Sequence, residues 1–204
     1  MGGSRSATAF TAGCERSEEF RHLNLIGESE AFQRVLRLVQ RLSQCDATVL
    51  IHGETGTGKE LVARAVHYLG SRRTSPFIAV NCGAIPDSLV ESEFFGHTSG
   101  AFTDAKQARA GVVAQAQGGT LFLDEVDSLS ARSQVSLLRF LQDYEYRPVG
   151  GSASKSANVR VVAATNADLE QLVAAGSYRR DLLYRLNVLS VHLPPLRERG
   201  DDVR

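Results

Sequence analysis

The chain has 204 residues, with 23 acidic and 23 basic side chains and a formal net charge of zero. That length suffices for one well-filled α/β core, and the charge balance argues against a dedicated nucleic-acid or membrane-binding surface. No apolar run is long enough to cross a bilayer, and residues 1–22 are small and polar, without the apolar stretch of a secretory signal.

Residues 1–22 read as a flexible tail and residues 23–204 as the folded domain. Glu30 to Leu42 is predicted to be an amphipathic helix, because Phe32, Val35, Leu36, Val39 and Leu42 recur at helical spacing opposite Arg34, Arg37 and Arg41. Ala47 to His52 is a short apolar run, a buried strand feeding Gly53-Glu54-Thr55-Gly56-Thr57-Gly58-Lys59-Glu60. That stretch fits the phosphate-cradling pattern G-x-x-x-x-G-K-[ST] except at its last position, where Glu60 replaces the hydroxyl residue that ordinarily meets Mg2+. Its glycines permit a tight turn with N–H groups close to phosphate oxygens, and Lys59 can reach the β- and γ-phosphates. The helix that follows, Lys59 to Leu69, points its positive dipole end at the same anion. Glu60 leaves two readings: a degraded site, or one that holds its metal differently.

Phe77 to Asn81 is the second predicted strand and Ser88 to Phe95 a helix. In Gly96 to Ala105, Phe102 stands among small and polar neighbours with little local core to enter. This segment is either a flexible connector or a loop presenting an aromatic anchor to a partner. Thr120 to Leu123 is the third strand, ending in Asp124-Glu125. Two carboxylates there make an ordinary acidic turn. Downstream of a glycine-rich loop carrying Lys59, they also suit phosphoryl transfer, Asp124 for Mg2+ and Glu125 to polarise the attacking water. Ser130 caps a helix running to about Gln142. Gly150 to Ala157 is of low complexity and reads as a solvent loop. Val159 to Ala164 is the fourth strand. Asn166 after it either senses a γ-phosphate or starts the helix Ala167 to Ala174 through an Asx turn. Arg179 to Tyr184 forms a short helix whose arginines either make surface ion pairs or neutralise a transferring phosphoryl group. Val188 to Leu193 is the last strand, stopped by Pro194-Pro195.

Strands that are continuous apolar runs, alternating with helices, predict an α/β fold with a parallel sheet covered on both faces. Ligands bind such sheets at the carboxyl ends of the strands, where the glycine-rich loop, Asn81, Asp124-Glu125 and Asn166 should gather. Cys14, Cys45 and Cys82 are odd in number and widely spaced, which suits reduced thiols in a cytosolic protein. The five histidines are equally scattered, and no metal cluster is expected among them.

Taken together, GETGTGKE, Asn81-Cys82, FFGHTSGAFTDA, GGTLFLDE, ATN and YRRDLLYRLNV resemble the AAA+ domain of bacterial enhancer-binding proteins, the NtrC-like activators of sigma-54 RNA polymerase. The resemblance runs from about Asn24 to Val203. It implies a P-loop three-layer αβα sandwich that binds and hydrolyses ATP with Mg2+ in the bacterial cytoplasm. It assigns Gly53, Glu54, Thr55, Gly56, Thr57, Gly58, Lys59 and Glu60 to the Walker A segment, where glutamate commonly follows the lysine, and adds Leu61 to the nucleotide-binding residues. Ile26 and Gly27 fall in a segment near adenine. Asp124 and Glu125 resemble Walker B, with Asp124 meeting Mg2+ through water. Asn81 resembles the residue that pairs with the Walker B glutamate and switches it, and Asn166 sensor I. Arg179 and Arg185 resemble arginine fingers acting across subunits of a ring, expected to be a hexamer. Gly100, Ala101, Phe102, Thr103, Asp104 and Ala105 resemble the loop that engages the sigma-54 holoenzyme. The implied function is ATP-driven remodelling of the closed promoter complex.

Two features depart from the family pattern. Asp104 stands where the loop usually carries a second glycine, which puts its grip on sigma-54 in question. The chain also stops at Arg204, before the helical lid and the helix-turn-helix domain that the family carries. The expectation is therefore a truncated domain with weak ATPase activity and no DNA binding of its own. A non-catalytic module that binds sigma-54 or partner subunits is the alternative. A P-loop ATPase of another machine, such as a helicase loader or chelatase subunit, is a third reading, which the GAFT-type loop opposes.

Overall fold

The computed structural model describes residues 20–102 and 105–203. In chain order the strands are β1 (Val49–His52), β2 (Phe77–Asn81), β3 (Gly96–His97), β4 (Arg109–Ala110), β5 (Thr120–Asp124), β6 (Glu145–Tyr146), β7 (Lys155–Ser156), β8 (Arg160–Thr165) and β9 (Leu189–His192). The helices are α1 (Glu30–Ser43), α2 (Lys59–Tyr68), α3 (Val90–Phe95), α4 (Val112–Gln115), α5 (Ala131–Asp143), α6 (Leu169–Ala174) and α7 (Arg180–Leu186). Five strands form one sheet in the order β2-β5-β8-β1-β9, every neighbouring pair parallel.

The apolar runs become strands because alternate side chains serve two different cores. Leu50, Leu121, Leu123, Val161 and Ala163 pack in one layer with α3, α5 and α7. Val49, Ile51, Phe122, Val162, Ala164 and Val191 pack in the other with α1 and α2. The α1 stripe predicted from periodicity, Phe32, Val35, Leu36, Val39 and Leu42, is buried there. Side chains start three of the helices: Ser29 accepts from the Phe32 N–H, Ser130 from Ser133, and Asp168 from Glu170 and Gln171.

Boundaries move by one to two residues at several elements, and three features differ in kind. Residues 20–22, placed in the tail, are helical, and Phe20 is buried beside α1. Residues 1–19 lie outside the described residues. The segment after α3 is not a plain connector, since β3 pairs antiparallel with β4. Gly150 to Ala157 is not wholly a solvent loop, since β7 pairs with β6 and Ala157 is buried.

Arg160, which carried no expectation, is almost fully buried at the start of β8. Its Nη2 donates to the Leu42 carbonyl at 2.7 Å, and Nη1 faces the carbonyls of Ser43 and Val66, each at 3.4 Å. One guanidinium thus covers carbonyls near the ends of both α1 and α2, where the helix dipoles favour a cation.

Candidate nucleotide site

The register of the sheet assembles the site. His52 pairs with Thr165, and Asn81 with Asp124, so the loops after β1, β2, β5 and β8 leave from one edge. The glycine-rich loop after β1 begins with the Gly53 N–H donating to the Thr165 carbonyl. It closes on itself through Thr57, whose N–H and hydroxyl both donate to the Glu54 carbonyl. Gly56 and Gly58 have φ of 81° and 94°, conformations that glycine reaches without strain. Lys59 is 9% exposed, and its Nζ donates to the carbonyls of Gly53 at 2.9 Å and Glu54 at 3.1 Å. The ammonium therefore lies within the loop. Glu60 turns along α2 to Arg64, with N–O distances of 2.7 and 3.0 Å. What Glu60 offers an anion is its backbone N–H in the first turn of α2. Leu61 sits behind Gly58.

Asp124 is half-buried, and its Oδ1 accepts the Glu125 N–H. Burial pushes its carboxyl above the ordinary value, opposed by that hydrogen bond and by the Lys59 charge. Glu125 takes a left-handed backbone conformation, φ 53° and ψ 48°, that is costly outside glycine and recurs at functional sites. Its carbonyl accepts from the N–H and hydroxyl of Ser128. Its side chain lies over Gly83, where a Cβ would stand 2.6 Å from the carboxylate. Asn81 borders the same space, but its Oδ1 accepts from the N–H groups of Gly83 and Ala84. The two side chains are brought together without a direct hydrogen bond. Gly83 is a site residue that sequence reasoning missed; its one signal is its place two residues after Asn81.

At the end of β8 the Thr165 hydroxyl donates to Asp127 Oδ1 at 2.5 Å and accepts from the Ala167 N–H. This joins the turn after Glu125 to the turn carrying Asn166. The Asn166 amide donates to the Thr55 hydroxyl at 3.2 Å, so Asn166 faces the phosphate loop directly. Among the described residues no group of three or more His, Cys, Asp or Glu side chains is placed to hold a metal alone. One carboxylate, Asp124, beside a phosphate cradle suits a Mg2+ whose other ligands are phosphate oxygens and water.

Other expected residues lie apart from this edge. Ile26 is 69% exposed, and Gly27 is tightly enclosed, with Phe32 and Asp202 where a side chain would go. Arg179 opens α7 and forms a two-bond pair with Asp181, at 2.7 and 3.0 Å. Its backbone N–H donates to the buried Gln134, a second contact not foreseen. Arg185 is exposed in the last turn of the same helix. Within the expected sigma-54 loop the Gly100 N–H donates to the Ala105 carbonyl. Gly100 is left-handed there, and Ala101 lies near Gly150. Phe102 is 41% exposed and meets His97 edge to face, with centroids 5.0 Å apart. Thr103 and Asp104 lie outside the described residues.

Residues 25–192 match the family described as the sigma-54 interaction domain. The chain belongs to that family. Its relatives include the DNA-binding transcriptional regulator NtrC of Rhizobium meliloti (strain 1021), 53% identical over 179 residues, covering 88% of this chain and 37% of that one. The Nif-specific regulatory protein of Enterobacter agglomerans is 49% identical over 190 residues, covering 93% and 37%. The chain thus spans little more than a third of either relative. Among solved structures, NtrX from Brucella abortus in complex with ATP superposes with a TM-score of 0.79 at 35% identity, covering 87% of this chain and 40% of NtrX. The P-loop NTPase domain of an E. coli sigma-54 activator gives 0.56 at 26% identity, covering 84% and 99%. The sigma-54 interaction domain described here therefore has the AAA+ P-loop NTPase fold expected from its motifs. No helix among the described residues is long and apolar enough to cross a membrane.

Proposed function

We propose that this sigma-54 interaction domain binds ATP with Mg2+ and hydrolyses it, and that hydrolysis drives remodelling of the closed promoter complex of sigma-54 RNA polymerase. The observation that carries the reading is the convergence of Lys59, Asp124, Glu125 and Asn166 at one sheet edge, with Asn166 bonded to Thr55 of the phosphate loop. The sigma-54 family match supports the choice of partner.

In this reading the N–H groups of the loop and the first turn of α2 hold the triphosphate, and Lys59 exchanges its loop carbonyls for phosphate oxygens. Asp124 would hold the Mg2+, whose charge would offset that of the phosphates. Glu125 orients a water in line with the γ-phosphate and draws off its proton. Asn81 steadies the glutamate through the space they share over Gly83, and Asn166 registers the γ-phosphate. Arg179 and Arg185 reach the site of a neighbouring copy in a ring, proposed to be a hexamer. Arg179 must first release Asp181, an exposed pair that costs little to open. The loop tip at Phe102 grips sigma-54. The molecule acts in the bacterial cytoplasm.

Two variants test this. Lys59→Ala is expected to abolish ATP binding, and Glu125→Ala to keep binding but stop turnover. Hydrolysis retained by Glu125→Ala removes that residue from the mechanism. Deleting residues 100–105 should leave hydrolysis largely intact and end sigma-54 binding; unchanged binding removes the loop from the contact.

A further inference from the structure

The segment after β9 carries three charged side chains that the mechanism leaves unused, two of which, Arg197 and Arg199, reach back to the phosphate loop. Arg197 pairs with Glu54 of the phosphate loop through two bonds, at 2.6 and 2.7 Å. Asp202 accepts the N–H groups of Glu28 and Ser29 and the Ser29 hydroxyl, tying the segment to the start of α1. Between them Arg199 is only 8% exposed. Its Nη2 donates to the Thr57 carbonyl at 2.8 Å and its Nε to the Pro194 carbonyl at 2.9 Å. Its guanidinium lies over the Phe32 ring, 4.4 Å from the centroid.

Arg199 has no carboxylate within ion-pairing distance among the described residues; the Asp202 oxygens are taken up by Ser29 and Glu28. A nearly buried cation held by two carbonyls and a ring face, with Asp202 near but not bonded to it, keeps its donors on the backbone rather than on a carboxylate. It holds that charge against the outer side of a loop whose inner side suits an anion. The peptide plane sets the second half of the argument. The Thr57–Gly58 peptide is trans, so its carbonyl and the Gly58 N–H point in opposite directions. Anchoring the carbonyl outward turns the Gly58 N–H away from Arg199, toward the concave side of the loop. Gly58 is also where φ reaches 94°, and the freedom of a glycine to rotate that peptide plane is what the anchor restrains.

We propose that Arg199 is a positioning residue for the phosphate loop: held from behind by its bond to Thr57, the loop presents the Gly58 N–H to a polyphosphate already oriented. The inference rests on the proposed nucleotide site but is tested separately from it. The test uses the full 204-residue chain and its Arg199→Met and Arg199→Lys variants. In nucleotide-free protein the Thr57 carbonyl-carbon and Gly58 amide resonances report the anchor, and titration with ATP reports affinity. Arg199→Met is expected to shift both resonances and weaken ATP binding about tenfold, the loss of one hydrogen bond to a charged group. Arg199→Lys, which keeps the charge and one donor, should fall between. Unmoved resonances in Arg199→Met overturn the proposal, and so does unchanged ATP affinity once they have moved. If the parent chain binds no ATP, the nucleotide reading fails, and the resonances alone decide the role of Arg199. If Arg199→Met does not fold, Arg199→Lys is judged by the same criteria.

Discussion

Substituting Gly83 by alanine separates catalysis from stability. The new Cβ would stand 2.6 Å from Glu125 Oε2, with Asn81 Oδ1 and the Ser128 hydroxyl each at 3.3 Å. Ordinary contact begins near 3.4 Å, so the carboxylate must retreat by about 0.8 Å. Gly83 has no left-handed φ, so alanine fits its backbone. What moves is the end of a flexible side chain, and the fold should lose less than about 1 kcal/mol. Catalysis is less forgiving, since a misplacement of about 1 Å at a reacting group costs about a hundredfold. Gly83→Ala is therefore expected to lower kcat about a hundredfold, with the dissociation constant for ATP within about twofold of the parent and Tm nearly unchanged. Phosphate-release kinetics, equilibrium nucleotide binding and a thermal melt measure the three quantities. A kcat equal to that of the parent would refute the placement of Glu125 as the group that orients water.

Other outcomes follow from the same geometry. Chains carrying Arg179→Ala and chains carrying Glu125→Ala are each expected to be inactive, and mixing them should restore turnover, because each supplies what the other lacks; no recovery on mixing removes the trans role of Arg179. Burial raises the Asp124 carboxyl above 3.8, so its ionised form costs stability at higher pH and protonation relieves that cost. Asp124→Asn should accordingly raise Tm at about pH 7 while abolishing turnover. That gain should shrink as pH falls through the raised value and vanish below 3.8, followed by melts across pH. Arg160→Met should destabilise the fold by about 2 kcal/mol, read by urea denaturation, since helix-end carbonyls lose their buried donor.

The site was legible where chemistry demands particular residues at fixed spacing. The glycine-rich loop, Asp124-Glu125 and Asn166 each follow a strand whose apolar run is plain in the sequence, and parallel register does the rest. Two-residue strands such as β3 and β6 escaped because no periodicity exists at that length, and their pairing depends on partners beyond the adjoining turn. Arg160 and Gln134 escaped for another reason. A buried polar side chain is defined by the acceptors around it, and those come from α1, α2 and the turn before α7. Asn81 was read as the partner of Glu125; the local Asx geometry at Gly83 takes its oxygen, a competition that the sequence near Asn81 carries but does not resolve.

The position of β1 between β8 and β9 bears on how the protein is made. Translation delivers β1 and its phosphate loop before either neighbour of that strand, β8 or β9. The carbonyl that anchors Gly53 belongs to Thr165, and the bond from Arg160 to Ser43 spans 117 residues. During synthesis the nucleotide loop therefore hangs from a strand with no sheet to join, and it acquires its shape only when β8 leaves the ribosome and slides between β1 and β5. If the loop binds ATP as proposed, an emerging chain gains that site only once most of this domain exists.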